Sequence, residues 1–143
     1  MRIVPVTNEN KHEWAKLCNE LWPHNPVDDM FEAFLCGELK HEYLCLVGNA
    51  AVAFISLSLR HDYVEGKTDQ NPVGYLEGIY VKPEHRKQGI ARGLVAFARQ
   101  WAAGHGCTMF ASDCELANNE SRQFHNKMGF AEASINVHFA MPL

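Results

Sequence analysis

A basic loop that contains a glycine follows an apolar run near the middle of the chain. The run over residues 75–81 is aromatic, apolar and β-branched, which is typical of a buried strand, and Pro83 has no N–H for further pairing. The segment 86–89, RKQG, then leads into apolar residues at helical spacing. Because a helix N-terminus presents unpaired N–H groups, this arrangement predicts a turn that binds a phosphate or pyrophosphate. A solvated basic helix end fits the same residues.

One carboxylate lies inside the apolar run. A period of two places Tyr75, Glu77, Ile79 and Val81 on one face of the strand, and Leu76, Gly78 and Tyr80 on the other. A carboxylate among apolar neighbours on an interior strand is costly unless it has a partner or a task. The sequence therefore predicts that Glu77 is a functional acid, and the competing interpretation is a strand end that points to water.

The surrounding pattern indicates an α/β fold with a mixed sheet and helices on both of its faces. Strands are predicted over residues 1–6, 42–47, 50–59, 75–81, 107–111 and 131–141, and helices up to residue 21 and over 29–40, 89–103 and 118–128. The length of 143 residues fits one domain, 1–143. We expect six to seven strands, mostly antiparallel, and about four helices.

Composition excludes several functional classes. A formal net charge of −4 argues against a nucleic-acid partner and is compatible with a cationic small molecule. No histidine pair has the spacing of a metal site, so no metal is expected. The uncharged stretch 43–59 is interrupted by Gly48-Asn49, which favours a hairpin over a membrane span. Five cysteines without a C-x-x-C pair favour a reducing cytoplasm.

Three segments resemble those of the GNAT superfamily of N-acetyltransferases. Arg86-x-x-Gly89-x-Ala91 resembles its acyl-CoA signature, Q/R-x-x-G-x-G/A. Residues 76–81, LEGIYV, look like its fourth strand, and 124–130, FHNKMGF, resemble its later (L/F)-Y-x-x-x-G-F segment. Residues 21–23, 60–64, 76–79 and 111–113 are similar, more narrowly, to the aminoglycoside 6′-N-acetyltransferases.

The resemblance implies a fold and an activity. The sheet would splay between strands 4 and 5, acyl-CoA would enter the gap, and its acetyl group would pass to the 6′-amine of an aminoglycoside such as kanamycin or tobramycin, giving antibiotic resistance. The implied cofactor-binding residues are Ile79, Tyr80, Val81, Lys87, Gln88, Gly89, Ile90, Ala91, Arg92 and Asn118. The relatives are often homodimers that join or exchange C-terminal strands, and Ile135, Val137 and Phe139 could serve that contact or an internal strand.

Catalytic and substrate roles follow from the same resemblance. Glu77 would take the proton that the amine must lose before it attacks. His125 stands where the superfamily usually has tyrosine, so it either assists the departing thiolate or lines the pocket. The expected substrate-binding residues are Trp22, His24, Tyr63, Glu77 and Asp113. Trp22 could equally be a core residue, and Tyr63 could anchor its loop.

Two other functions fit the sequence. One is a GNAT acetyltransferase for a polyamine or for a protein or peptide amine. The other is a non-catalytic acyl-CoA sensor, against which Glu77 and Asp113 argue.

Overall fold

A computed structural model describes residues 1–24, 27, 29, 41–62 and 64–143. Its strands are β1 (Arg2–Pro5), β2 (His41–Val47), β3 (Ala50–Arg60), β4 (Val73–Val81) and β5 (Phe110–Ser112). Its α-helices are α1 (Lys11–Leu21), α2 (Ile90–Gly104) and α3 (Asn119–Met128), and a 3-10 turn covers Pro83–His85. The helix predicted over 29–40 lies, beyond its first residue, outside the described residues.

The strands form one mixed sheet in the order β1-β2-β3-β4-β5. The first three pairings are antiparallel and β5 runs parallel to β4, which confirms the prediction of a mixed, mostly antiparallel sheet. The hairpin between β2 and β3 turns at Gly48, whose φ of 62° is in the left-handed region that glycine adopts without strain.

The predicted strand count is too high for the part of the chain that the structure describes. That part contains five strands and three α-helices rather than six to seven strands and about four helices. The strand expected over 131–141 does not form: residues 131–143 have no regular structure and are exposed. Ile135, Val137 and Phe139 are 68%, 75% and 92% exposed. Alternating apolar residues make a strand only where a neighbouring strand accepts their backbone groups.

The core has two layers, one on each face of the sheet. Trp14, Leu17 and Cys18 of α1 pack on one face with β2 and β3 residues such as Leu44 and Phe54. The other face packs against α2 through a cluster of buried apolar residues, namely Ile55, Leu57, Leu76, Ile90, Leu94 and Ala98. Gly74 lets α2 approach β4, because a Cβ there would lie 2.5 Å from that of Ala102. The helices therefore cover both faces, as predicted. No helix among the described residues has the length and apolarity needed to cross a membrane.

A β-bulge interrupts β4 at Glu77. Ser56 of β3 lies opposite Gly78 and Leu57 lies opposite Leu76, so Glu77 has no counterpart on β3. The extra residue reverses the alternation, and Leu76 and Ile79 both pack in the α2 cluster.

The prediction of which β4 residues lie on the same face of the strand is therefore wrong beyond Glu77. Ile79 and Val81 do not lie on the face of Tyr75 and Glu77 but pack towards α2. Tyr80 packs with the α1 cluster, on the side where Gly78 lies against Trp22. A period-two pattern carries no information about an inserted residue.

A buried carboxylate joins α1 to the sheet. Glu42 is only 4% exposed and accepts hydrogen bonds from Trp14 Nε1 at 2.9 Å and Ser56 Oγ at 2.5 Å. Desolvation raises the pKa of this carboxyl to about 7, and the two hydrogen bonds oppose the shift. Near neutral pH the folded protein therefore holds a proton that the unfolded chain has released.

The sign of the resulting pH dependence follows from proton counting. Glu42 ionises near pH 4.5 when unfolded but near pH 7 when folded, so the free energy of unfolding falls as pH rises between these values. At about 1.4 kcal/mol per pKa unit, the loss is of the order of 3 kcal/mol. Glu42→Gln should remove this component, measured by urea unfolding at pH 5 and pH 8.

The control for Glu42→Gln is the same substitution in an exposed ion pair of α1. Glu13 lies 3.4 Å from Lys16, and its side chain is 53% exposed. Glu13→Gln should keep the wild-type difference between pH 5 and pH 8. Parallel pH curves for the wild type and Glu42→Gln would contradict the assigned role of the buried carboxyl.

Candidate active site

The sheet splays between β4 and β5. The two strands pair only through Gly74↔Phe110, Tyr75↔Ala111 and Leu76↔Ser112, whereas β4 continues to Val81. Over residues 77–81, β4 has β3 on one side and no strand on the other within the described part of the chain. Its outward N–H and C=O groups can pair with an extended ligand there, as with an added strand. The pairing of β4 with β5 thus ends where the resemblance predicts the splay.

The turn that follows β4 forms a concave set of N–H groups. Lys87 and Gly89 have φ values of 59° and 84°, and left-handed residues in a turn direct their N–H groups towards one point. Helix α2 begins at Ile90, so the N–H groups of Ile90, Ala91 and Arg92 have no acceptor four residues earlier. A Cβ at Gly89 would meet nothing within 4 Å. These residues fit a diphosphate.

The side chains of the turn differ in their exposure to solvent. Lys87, Gln88 and Arg92 are exposed, whereas the Ile90 side chain is buried in the core and fixes the helix start. Arg86 is also exposed, and its Nε donates to the Val81 carbonyl at 2.8 Å. It ties the turn to the end of β4.

Tyr80 links the splayed edge to α1. Its hydroxyl donates to Glu20 Oε2 at 2.6 Å, and the Arg86 guanidinium lies 5.5 Å from its ring centroid. Burial, with the hydrogen bond to Glu20, raises the Tyr80 pKa, so the phenol stays protonated.

Glu77 is accessible and has a partner, which corrects the expectation of a carboxylate surrounded by apolar neighbours on an interior strand. Its side chain is 36% exposed because the bulge turns it away from the α2 core. Oε1 accepts from Ser58 Oγ at 2.6 Å, and the Arg60 guanidinium contacts both carboxylate oxygens at 3.1 and 3.2 Å. The carboxylate therefore has a cationic partner.

Trp22 lies beside the bulge. Its indole ring is so close to Gly78 that a Cβ there would be 2.5 Å from it, and its ring centroid lies 5.6 Å from that of Phe54. Trp22 is only partly buried, so it packs on the core and leaves part of its ring exposed beside Gly78, the residue after Glu77. His24 is exposed two residues further on. Tyr63 lies outside the described residues.

Asp113 joins the site through Tyr75. The Tyr75 hydroxyl donates to Asp113 Oδ2 at 2.5 Å, and the Arg60 guanidinium carbon lies 3.4 Å from the centroid of the Tyr75 ring. Burial and the bond to Asp113 raise the Tyr75 pKa, which keeps the hydroxyl a donor. The structure thus brings the two predicted acids, Glu77 and Asp113, into one network.

Sequence reasoning missed Ser58, Arg60 and Tyr75 as site residues. Ser58 and Arg60 alternate at the end of β3 and so share one face of the strand, which is the available signal. Which charge they meet depends on the register between β3 and β4, including the bulge. The register cannot be predicted from the sequence of either strand alone.

His125 connects α3 to β5. Its Nδ1 lies 2.7 Å from the Ser121 carbonyl and its Nε2 lies 2.7 Å from Ser112 Oγ. A carbonyl only accepts, so Nδ1 carries a proton, while Nε2 shares the second hydrogen bond with the Ser112 hydroxyl. Ser112 Oγ also lies 3.1 Å from the Leu76 carbonyl, at the last paired position before the splay. His125 therefore braces the mouth of the gap.

Asn118 caps α3. Its Oδ1 accepts from the Ser121 N–H at 3.1 Å, which satisfies one of the unpaired donors of the first turn. Among the residues that the structure describes, no group of three or more His, Cys, Asp or Glu side chains is arranged to hold a metal ion.

Comparison with protein families gives one clear assignment for this architecture. The model of the acetyltransferase (GNAT) family matches residues 7–130. The chain is 37% identical over 142 residues to an aminoglycoside N(6′)-acetyltransferase type 1 of Acinetobacter haemolyticus, covering 98% of this chain and 97% of that protein. The chain is 36% identical over 143 residues to the aminoglycoside N(6′)-acetyltransferase type 1 of Stenotrophomonas maltophilia, covering 99% of this chain and 93% of that protein.

Solved structures agree with this comparison. The apo crystal structure of aminoglycoside 6′-N-acetyltransferase AAC(6′)-IG from Acinetobacter haemolyticus superposes with a TM-score of 0.90 at 34% identity, covering 100% of this chain and 99% of that chain. The complex of AAC(6′)-Iy with CoA gives 0.89 at 30% identity, covering 99% and 95%.

Proposed function

The chain belongs to the acetyltransferase (GNAT) family, and we propose that it transfers the acetyl group of acetyl-CoA to the 6′-amine of aminoglycosides, which confers resistance to them. One juxtaposition carries the proposal: an anion-binding turn and a cation site flanked by carboxylates adjoin the same splay. A diphosphate-bearing acyl donor and a polycationic acceptor are the two partners that this chemistry recognises. The names of the related enzymes give the same activity.

The donor side is formed by β4 and the turn after it. Lys87 to Arg92 would hold the diphosphate through backbone N–H groups, and the edge of β4 from Ile79 to Val81 that faces away from β3 would pair with the pantetheine arm. Bound acetyl-CoA supplies the thioester whose carbonyl carbon the amine attacks. The outward N–H groups of this edge are the available donors to the oxygen of that carbonyl.

The acceptor side is formed by the α1 face of the bulge. An ammonium group cannot attack until it loses a proton, and Glu77 is the accessible carboxylate next to the gap that can accept it, directly or through water. Trp22 walls this region, and Asp113 adds negative charge from the far side of the splay.

A thiol-release assay with acetyl-CoA tests the proposed activity. We expect release with kanamycin and tobramycin, which carry a free 6′-amine, and little with spermidine or a peptide. Glu77→Gln should lower kcat by about 10- to 1,000-fold, the range of general base assistance, while CoA still binds. Glu13→Gln on α1 is the matched control and should keep wild-type turnover. Turnover of spermidine or the peptide but of no aminoglycoside would contradict the proposal. If no amine gave thiol release, the alternative function of a non-catalytic acyl-CoA sensor would account for the protein instead.

We assign His125 a positioning role, supported by its bonds to Ser121 and Ser112. Both ring nitrogens are engaged, Nδ1 by the Ser121 carbonyl and Nε2 by the Ser112 hydroxyl, so neither is free to donate to a thiolate. His125→Phe should then lower kcat by less than about tenfold, with an unchanged pH profile, and Ser112→Ala should reproduce the effect. A loss of 100-fold or more, with one limb of the pH profile gone, would instead identify a general acid.

A homodimer is the proposed assembly. The exposed segment 131–143 carries the apolar side chains of Ile135, Val137 and Phe139. A groove of about 380 Å³ next to β5 is lined by apolar residues that include Phe110, Met128 and Phe130. Exchange of the segment between two copies would cover both surfaces. Light scattering should give twice the chain mass of 16.2 kDa, and deletion of 131–143 should give a monomer; a full-length monomer at micromolar concentration would refute the exchange.

The cytoplasm is the proposed location. The described cysteines Cys18, Cys45, Cys107 and Cys114 are all free thiols. Unpaired thiols are usual in a reducing compartment.

A further inference from the structure

The carboxylate assigned to proton abstraction is already engaged by a cation of the same chain. Arg60 approaches Glu77 with NH2 at 3.1 Å from Oε1 and 3.2 Å from Oε2, and with Nε at 3.3 Å from Oε1. Ser58 Oγ occupies a further position on Oε1 at 2.6 Å. An acceptor amine must reach the same oxygens to hand over its proton.

The place that Arg60 occupies has the chemistry of an ammonium-binding subsite. Its guanidinium has the carboxylate of Glu77 at its edge and the ring of Tyr75 beneath it, with 3.4 Å between the guanidinium carbon and the ring centroid. A carboxylate beside an aromatic face is the combination that attracts cationic ligands. Arg60 thus occupies the site as an ammonium group of the acceptor would.

A second carboxylate is bound to the hydroxyl of the same Tyr75 ring on which the Arg60 guanidinium stacks. Asp113 accepts from the Tyr75 hydroxyl at 2.5 Å, and its charge acts on Arg60 along with that of Glu77. A guanidinium that stays stacked on Tyr75 can therefore exchange Glu77 for Asp113. The ion pair it leaves is about one third exposed, with side-chain exposures of 34% and 36%. Such pairs are weak, so an incoming cation can break this one.

We propose that Arg60 is a specificity-determining residue that competes with the acceptor for Glu77 and moves towards Asp113 when a cationic amine binds. The inference rests on the proposed function. This competition makes Glu77 available only to acceptors whose own positive charge replaces the Arg60 guanidinium. Neutral hydroxyl-bearing sugars are excluded, since they would leave the Glu77 carboxylate without a cationic partner.

The primary test is Arg60→Gln, assayed by thiol release with acetyl-CoA and kanamycin. Removing the competing cation should lower the KM for kanamycin by about 2- to 5-fold, the weight of an exposed ion pair, and change kcat by less than about twofold. A split between KM and kcat in this direction is not expected from a purely structural role. Lys16→Gln removes the same charge from an exposed pair on α1 and should leave both constants unchanged.

Two further variants keep the test decisive if Arg60→Gln folds poorly. Arg60→Lys retains a charge but loses the planar fork, so KM should fall by a smaller factor. Asp113→Asn removes the second carboxylate, so it should raise KM in the wild-type background and do so less when combined with Arg60→Gln or Arg60→Lys.

Three results would overturn the inference. An unchanged or higher KM in both Arg60 variants shows that the guanidinium does not compete with the acceptor. A fall in kcat without a fall in KM shows that Arg60 holds Glu77 in place instead. An equal effect of Asp113→Asn in each background shows that Asp113 binds the acceptor directly. Failure of the proposed function is distinct, because the wild type would then acetylate no aminoglycoside at all.

Discussion

One extra residue in β4 determines the layout of the site. Without the bulge at Glu77, strict alternation would send either the acid or the apolar residues after it into the wrong layer. With the bulge, Leu76 and Ile79 both serve the α2 core, while Glu77 and Gly78 lie on the α1 side. Pairing with β5 ends at Leu76, so the same short stretch exposes the acid and opens the edge of β4 to a donor. The bulge thereby brings together the Glu77 carboxylate, the Trp22 ring and the outward N–H groups of β4.

Much of the framework was predictable because it depends on local chemistry. Proline after β4, a glycine with φ of 84° before α2 and apolar residues at helical spacing each act over a few residues. The hairpin turn at Gly48 and the cap of α3 at Asn118 are equally local. These signals predicted the turn between β4 and α2 and the order of strands and helices in the described regions.

The remaining features depend on contacts between segments that are distant in sequence. The bulge is set by the register of β3 against β4, and residues 131–141 need a partner strand that their own pattern cannot supply. The ion pair of Arg60 with Glu77 joins β3 to β4, and the bond of Tyr75 to Asp113 joins β4 to the residue after β5. Glu42 is the opposite case, an unremarkable acid in the sequence that becomes a proton-holding group only because the fold buries it.

The contact between Gly78 and Trp22 constrains how this pocket can evolve. Any side chain at position 78 would collide with the indole, whose atoms lie 2.5 Å from the place of a Cβ. A mutation that enlarges residue 78 is therefore accessible only after the tryptophan has been exchanged for a smaller residue, and that exchange leaves a void until the second change fills it. A larger side chain at position 78 thus takes two substitutions in a fixed order, which slows adaptation along this route.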